Sequence, residues 1–388
     1  MSGTGSRPFK AKGRLLALLA TAGLSGLPVM RADSEPYRPA IDDQVLAELP
    51  AGVRFSDAAA RHLAQSRADV ALPLAQFYLQ QSRQSGDLRY LGYADAVLAP
   101  WIRREPPNAA ALVLEATVQQ SRHQFDAALE TLARALRANP GDAQALLTQA
   151  TILRVLGRYP EAQAACERFA ARVNSQLGSV CIQAVRALTG HLESAYASLS
   201  AVSTQGWLPG ERSWLYSELG EMAVRLGRDA EAEHWFQADL ALVPSDFYVR
   251  GAYADLLLRQ GNAGEAMQLL QGYDSFEPLL LRIAIAEQQL HAPTLAASRA
   301  RLDAAFGAEL ERGEAVHRRE QARFLLEVEH QGPQALLAAQ ADWRVQREPA
   351  DAQVFVAAAE AAGQPGAAAA ARSVLRQAGP QSPAGVSP

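Results

Sequence analysis

The feature that constrains this chain most is a spacing. Ala94, Ala128, Ala162, Ala195, Ala232 and Ala266 follow one another at intervals of 34, 34, 33, 37 and 34 residues. Gly157, Gly190, Gly227 and Gly261 run in step, each five residues before its alanine; Pro106, Pro140, Pro244 and Pro278 each fall twelve residues after one. A period of this length, punctuated in this way, predicts pairs of helices. Glycine relaxes into the left-handed conformation that ends a helix. A small alanine lets two helices approach closely while larger neighbours interlock. Proline has no amide hydrogen and stops the second helix. One pair cannot bury its own apolar stripe, so successive pairs must stack. Composition agrees: hydrophobic residues make up 49% of the 388 but aromatics only 7%, and alanine dominates the apolar set. That mixture favours close-packed helices over strands.

The pattern resembles the tetratricopeptide repeat, a 34-residue helix–turn–helix unit with W-x2-L-G-x2-Y, A-x3-F and P positions. The clearest copy spans 213–246, with Leu219-Gly220, Ala232, Phe236 and Pro244. The copy at 143–175 carries Leu156-Gly157-Arg158-Tyr159-Pro160-Glu161-Ala162 across the turn. Residues 109–142 supply Phe125, Ala128, Leu132, Ala135 and Pro140; residues 247–280 supply Tyr253-Ala254, Gly261, Ala266, Leu270 and Pro278. In 75–108 only the second half is clean (Ala94, Leu98, Trp101, Pro106), and 176–212 keeps Gly190 and Ala195 with about three extra residues. The resemblance implies an all-α, right-handed α-α superhelix, a tetratricopeptide-like solenoid of about eight helical hairpins.

Residues 56–280 form the repeat array on this reading. Residues 281–377 hold divergent repeats and a C-terminal cap: pairs at 279–291 with 294–311, 315–330 with 333–347, and 351–362 with 365–377, Ala300 still standing 34 residues after Ala266. Residues 378–388, rich in Pro, Gly and Ser, are expected to be a disordered tail. Residues 33–55, with Pro36, Pro39 and Pro50, form an irregular lead-in. Residues 1–32 read as a signal peptide: five basic residues and no acid, with an uncharged run from Leu15 to Met30 and a cleavage point after Ala32. The run is 16 residues, short of the ~20 a spanning helix needs; an uncleaved anchor is the alternative. The expected location is therefore periplasmic or secreted, with no membrane insertion of the mature chain.

The formal net charge is −4, and without the five N-terminal positives the body carries −9. An acidic body lacks the clustered basic face that nucleic acid requires. Cys166 and Cys181 are the only cysteines, eight residues before and seven after a turn expected near Asn174. Equal distances from a hairpin turn put both thiols at one height; they pair as a disulfide in an oxidising compartment, or pack as two small hydrophobes in a reducing one. The seven histidines show no metal-ligand spacing, and neither a nucleophile elbow nor a phosphate-cradling glycine loop occurs. No cofactor, metal or catalytic residue is expected, and the chain does not read as an enzyme.

Two consecutive repeats share a triplet: Trp214, Glu221 and Arg225 recur 34 residues later as Tyr248, Asp255 and Arg259. In the family that this chain resembles, the first helix of each pair lines the concave groove, which makes these six the candidate partner contacts. Their other reading is as i,i+4 ion pairs, Glu221 with Arg225 and Asp255 with Arg259. The function expected is a non-catalytic extracytoplasmic scaffold that binds a protein or peptide partner in its groove, in envelope assembly. A groove that binds polysaccharide or peptidoglycan through Trp214 and Tyr248 is the alternative, and an enzyme with an unrecognised site the remote one.

Overall fold

The computed structural model describes residues 57–311 and 316–379, all within the second of the chain's two units, 51–388. The proposed signal peptide and lead-in lie outside the described residues, as does the tail beyond Gly379. Among the described residues there are helices and no strands. A short α1 (Asp57–Ala64) precedes nine hairpins. The first four pair α2 (Ala68–Ser85) with α3 (Arg89–Ile102), α4 (Ala109–Ser121) with α5 (Phe125–Ala138), α6 (Ala143–Val155) with α7 (Tyr159–Arg172), and α8 (Ser175–Arg186) with α9 (Leu192–Ser200). The next three pair α10 (Pro209–Arg225) with α11 (Asp229–Leu242), α12 (Phe247–Arg259) with α13 (Ala263–Leu269), and α14 (Glu277–Gln289) with α15 (Leu295–Glu311). In the eighth, α16 (Arg318–Arg323) runs into a π-helical turn (Phe324–Val328) and pairs with α17 (Gly332–Trp343). In the ninth, α18 (Pro349–Ala361) pairs with a 3-10 turn (Pro365–Ala368) that opens α19 (Ala369–Ala378).

All six periodic alanines are 0% exposed. From the second hairpin onward the small residue stands fourth in the second helix, and the series continues as Ser298, Ala335 and Ala368. Ala300, expected to continue it, is exposed; α15 starts two residues earlier in register, so Ser298 takes the contact. Each of the nine hairpin turns holds one residue at positive φ. Six are glycines, the periodic four together with Gly86 and Gly363; three are histidines, His123 (56°), His291 (51°) and His330 (55°). The prolines divide. Pro140 and Pro244 follow the ends of second helices, whereas Pro278 sits in the first turn of α14, because α13 has already ended at Leu269. Four of the first helices start on side-chain caps: Asn108, Asp142, Asn174 and Asp246 each accept from backbone amides one turn in, worth ~1 kcal/mol apiece. The extra residues after the fourth hairpin form the connection 201–208.

Close approach is visible where glycine replaces a side chain. A Cβ on Gly220 of α10 would lie 2.3 Å from the Phe236 ring of α11, and one on Gly178 of α8 would lie 2.3 Å from Ala170 of α7. Beside that second contact, Cys166 and Cys181 are joined as a disulfide with their Cα atoms 5.4 Å apart.

First helices of successive hairpins touch one another, whereas second helices splay outward. The first helices therefore form the inner wall of the superhelix. The coil is wound tightly enough to meet itself. Gly86, in the first hairpin turn, lies against Phe276 before α14. The backbone amide of Arg347, between α17 and α18, donates to the Val155 carbonyl at 2.8 Å, and Val345 packs with Leu156 and Ile152. Gly379 abuts Leu192. Turn edges of hairpins one to four thus meet the loop edges of hairpins six to nine along a seam. Helix α19 runs through Ala378, which is fully buried, so the cap extends one residue beyond 377 into the segment expected to be a tail.

Candidate functional site

The length of α6 and α8 and the N-terminal half of α10 leave an open cavity of about 830 Å³ on the inner wall. Leu147, Leu177 and Trp214 supply apolar lining, Cys166 and Cys181 its floor, and Arg83, from the end of α2, reaches into it. Arg83 is an exposed residue of that lining with neither a hydrogen bond nor a counter-ion among the described residues, and partial desolvation there pushes its guanidinium pKa down. Arg154, also in the lining, is held differently. Its Nη1 donates to Glu218 Oε1 at 2.5 Å and its Nε stands 3.7 Å from Glu348 across the seam. The Arg154 Nε has no hydrogen-bond partner of its own. The Trp214 indole Nε1 donates to the same Glu218 oxygen at 3.3 Å, which fixes the ring against the cavity wall.

Deeper along the inner wall the charges neutralise one another. Asp255 accepts from Arg282 at 2.8 Å and from Arg323 at 3.0 Å. Burial opposes ionisation there, but the two guanidiniums outweigh it and hold the carboxyl well below the usual range. Glu320 is buried as well, yet Arg319 and Arg282 bring it to about 2. Tyr248 donates its hydroxyl to Glu221, and burial with Glu218 raises Glu221.

The six residues singled out from the sequence fall into three groups. Trp214 lines the open cavity. Glu221, Tyr248 and Asp255 belong to the internal network, Tyr248 keeping 58% of its surface exposed. Arg225 is 8% exposed and donates to the carbonyls of Ala187 at 2.9 Å and Ala378 at 3.2 Å, which withdraws it from any ligand surface in this state. Arg259 is exposed at the end of α12. Neither i,i+4 pair forms: Glu221 takes Tyr248, Asp255 takes Arg282 and Arg323, because those partners reach the carboxylates from neighbouring helices with better geometry. Trp214 and Tyr248 make no ring contact with each other among the described residues.

Arg83, Arg154 and Glu218 were not singled out from the sequence. Arg154 is bridged to a glutamate six hairpins away, and no periodicity carries that signal. Arg83 stands in the half-copy where the repeat pattern is weakest. Among the described residues no group of three or more His, Cys, Asp or Glu side chains could hold a metal ion, and no helix is long and apolar enough to cross a membrane.

No protein-family model matches the sequence, and no curated protein is similar to it. Among solved structures, the chain is similar to PilF of Pseudomonas aeruginosa at 21% identity and a TM-score of 0.33, over 65% of this chain and 96% of that one. It is similar to a tetratricopeptide repeat protein from Parabacteroides merdae at 17% and 0.39, over 60% and 93%. It is similar to a chain of the APC/C hetero-tetramer Cut9-Hcn1 at 17% and 0.40, over 76% and 50%. Likeness at this level concerns the fold alone. On its own period and packing, this chain is an all-α tetratricopeptide-like solenoid.

Proposed function

We propose that the protein is a non-catalytic scaffold that holds a segment of a protein partner in the cavity bounded by α6, α8 and α10. The observation that carries this reading is an open cavity of mixed lining, with an apolar patch of Leu147, Leu177 and Trp214 among polar groups such as Gln144, Asn174 and Glu211, into which one cation, Arg83, projects without a partner. An extended segment with an apolar side chain for the Leu147, Leu177 and Trp214 wall and a carboxylate for Arg83 complements it. Buried aromatic and arginine side chains are the usual energetic anchors of such contacts. The wall is built on rigid helices, so binding costs little ordering on this side. The basic and apolar pattern of residues 1–32 and the Cys166–Cys181 pair support an exported protein, and envelope assembly is the setting that fits both.

The test is site-directed crosslinking from the cavity wall. With a photo-reactive phenylalanine analogue in place of Leu147, a discrete crosslinked partner is expected in envelope extracts, and Arg83→Ala or Trp214→Ala weakens its capture. The same analogue at the exposed Leu337 on α17 serves as control. Crosslinks that form equally from both positions, or that ignore both substitutions, overturn the reading.

A further inference from the structure

The face of α10 that lines the cavity does not end with it. Glu211, Trp214 and Glu218 belong to the lining. Arg225 follows Glu218 by seven residues, which places it two helical turns further on the same side, about 10 Å along the axis. Between the cavity and that end of the wall stands the end of α19. Ala378 packs in one apolar cluster with Ala150, Cys166, Cys181 and Val185, all of which line the cavity. Its carbonyl accepts from Arg225, and Gly379 then rests on Leu192.

What α19 offers Arg225 is a poor match. The side chain is buried, yet no carboxylate forms an ion pair with it among the described residues: Glu218 is bonded to Arg154 and Glu221 to Tyr248, and both act on Arg225 only over a distance. Its two hydrogen bonds leave from Nη1, to the carbonyls of Ala187 and Ala378, so Nε and Nη2 donate to nothing among the described residues. The hydroxyl of Tyr159, in the same cluster and within electrostatic reach of Arg225, is buried with no hydrogen-bond partner. A desolvated guanidinium is best satisfied by a carboxylate, which accepts two of its N–H groups at once. Apart from the Arg225 clip, α19 holds on by little. Of its ten residues only Ala371 and Ala378 are buried, and alanine covers little apolar surface.

We propose that the end of α19 is a displaceable plug: in the free protein the Ala378 carbonyl occupies the Arg225 end of the wall, and a partner segment whose carboxylate takes Arg225 and the Tyr159 hydroxyl drives it out. The inference rests on the reading of this wall as the partner site and adds its regulation. The incoming carboxylate supplies the counter-charge that Arg225 lacks, and the departure of Ala378 uncovers Val185 and Cys181 as a longer apolar floor. The segment therefore carries a second carboxylate, beyond the one that meets Arg83.

An apolar anion tests the plug with no partner present. Anilinonaphthalene sulfonate, with rings for the floor and a sulfonate for Arg225, is titrated into the full chain and followed by fluorescence. Ala378→Lys brings a second cation to a buried position beside Arg225 and unseats α19. It is expected to bind the probe about tenfold more tightly than the wild type, and Arg225→Met added to it is expected to abolish the gain. A chain ending at Gln377 gives the same readout should Ala378→Lys fail to fold. A folded Ala378→Lys chain with the wild-type probe affinity overturns the plug. So does a gain that survives Arg225→Met, because any newly exposed apolar surface would produce it. The probe needs no partner, so these outcomes stand whether or not the crosslinking experiment above captures one.

Discussion

The guanidinium of Arg225 on α10 donates to the backbone carbonyl of Ala378, 153 residues further along the chain. Its second bond goes to Ala187, at the end of α8, so one side chain clips the last helix to the fourth hairpin. Replacing it removes two buried bonds to a charged donor, each worth about 1.5–3 kcal/mol when its partner is left unsatisfied. Arg225→Met is expected to lower stability by roughly 2–4 kcal/mol in urea unfolding. Proteolytic cleavage within α19 should appear before the rest of the chain is cut.

Two glycine substitutions separate steric from backbone causes. Gly220→Ala drives a methyl group into the Phe236 ring, an overpacking cost of roughly 1–3 kcal/mol, and Phe236→Leu in the same chain should return part of it. Gly261 has nothing within 4 Å of a new Cβ but holds φ at +79°, so Gly261→Ala should cost about 1–2 kcal/mol that no second change relieves. His291 holds the same conformation in its exposed turn; His291→Gly is expected to leave stability unchanged or raise it by up to ~1 kcal/mol, because relief of strain is offset by the freer unfolded chain. Thermal or urea melts of the three variants check the set.

Asp239 predicts a pH dependence. Its carboxyl is fully buried and accepts only from Ser213. Burial and the nearby Asp246 raise it from 3.8 to about 7 despite the Ser213 bond. The folded state therefore holds this proton more tightly than the unfolded chain, so its contribution is complete below about pH 4 and is lost as pH rises to about 7. The loss is at most roughly 4 kcal/mol. Urea midpoints measured between pH 5 and 8 should decline, and Asp239→Asn should flatten that decline.

The Cys166–Cys181 bond closes a 15-residue separation. On the loop-entropy account such a closure contributes about 3 kcal/mol. The double change Cys166→Ala with Cys181→Ala is expected to lower stability by that order in calorimetry or urea titration, with the helical signal retained.

The repeat was legible because its signals are local: a buried small residue, a left-handed turn residue and a stop, all within one hairpin. Those rules located the six alanines and predicted most C-terminal helix bounds within a few residues. They failed where another side chain does the same work. His123, His291 and His330 occupy the turn position usually marked by glycine, and Ser298 takes the small-residue contact two residues before Ala300. Contacts between coils were illegible for a different reason. Arg154 with Glu348, and Arg225 with Ala378, depend on pitch and curvature summed over several hairpins, a quantity no short motif records. That is why Arg225 read as a groove residue and proved to be a clip.

A coil that touches itself unfolds by different rules from an open stack of repeats. In an open array each unit leans on its two neighbours alone, so the ends fray first and damage stays near where it is made. Here the last hairpins brace the second, third and fourth, and a lesion in the final helix is felt near the beginning. Removing residues 344–379 should therefore weaken the hairpins around Val155 and Leu192 more than those around Tyr253, which lie nearer the cut in sequence but away from the seam. The chain gains all-or-none melting from a topology that ordinarily permits piecemeal loss.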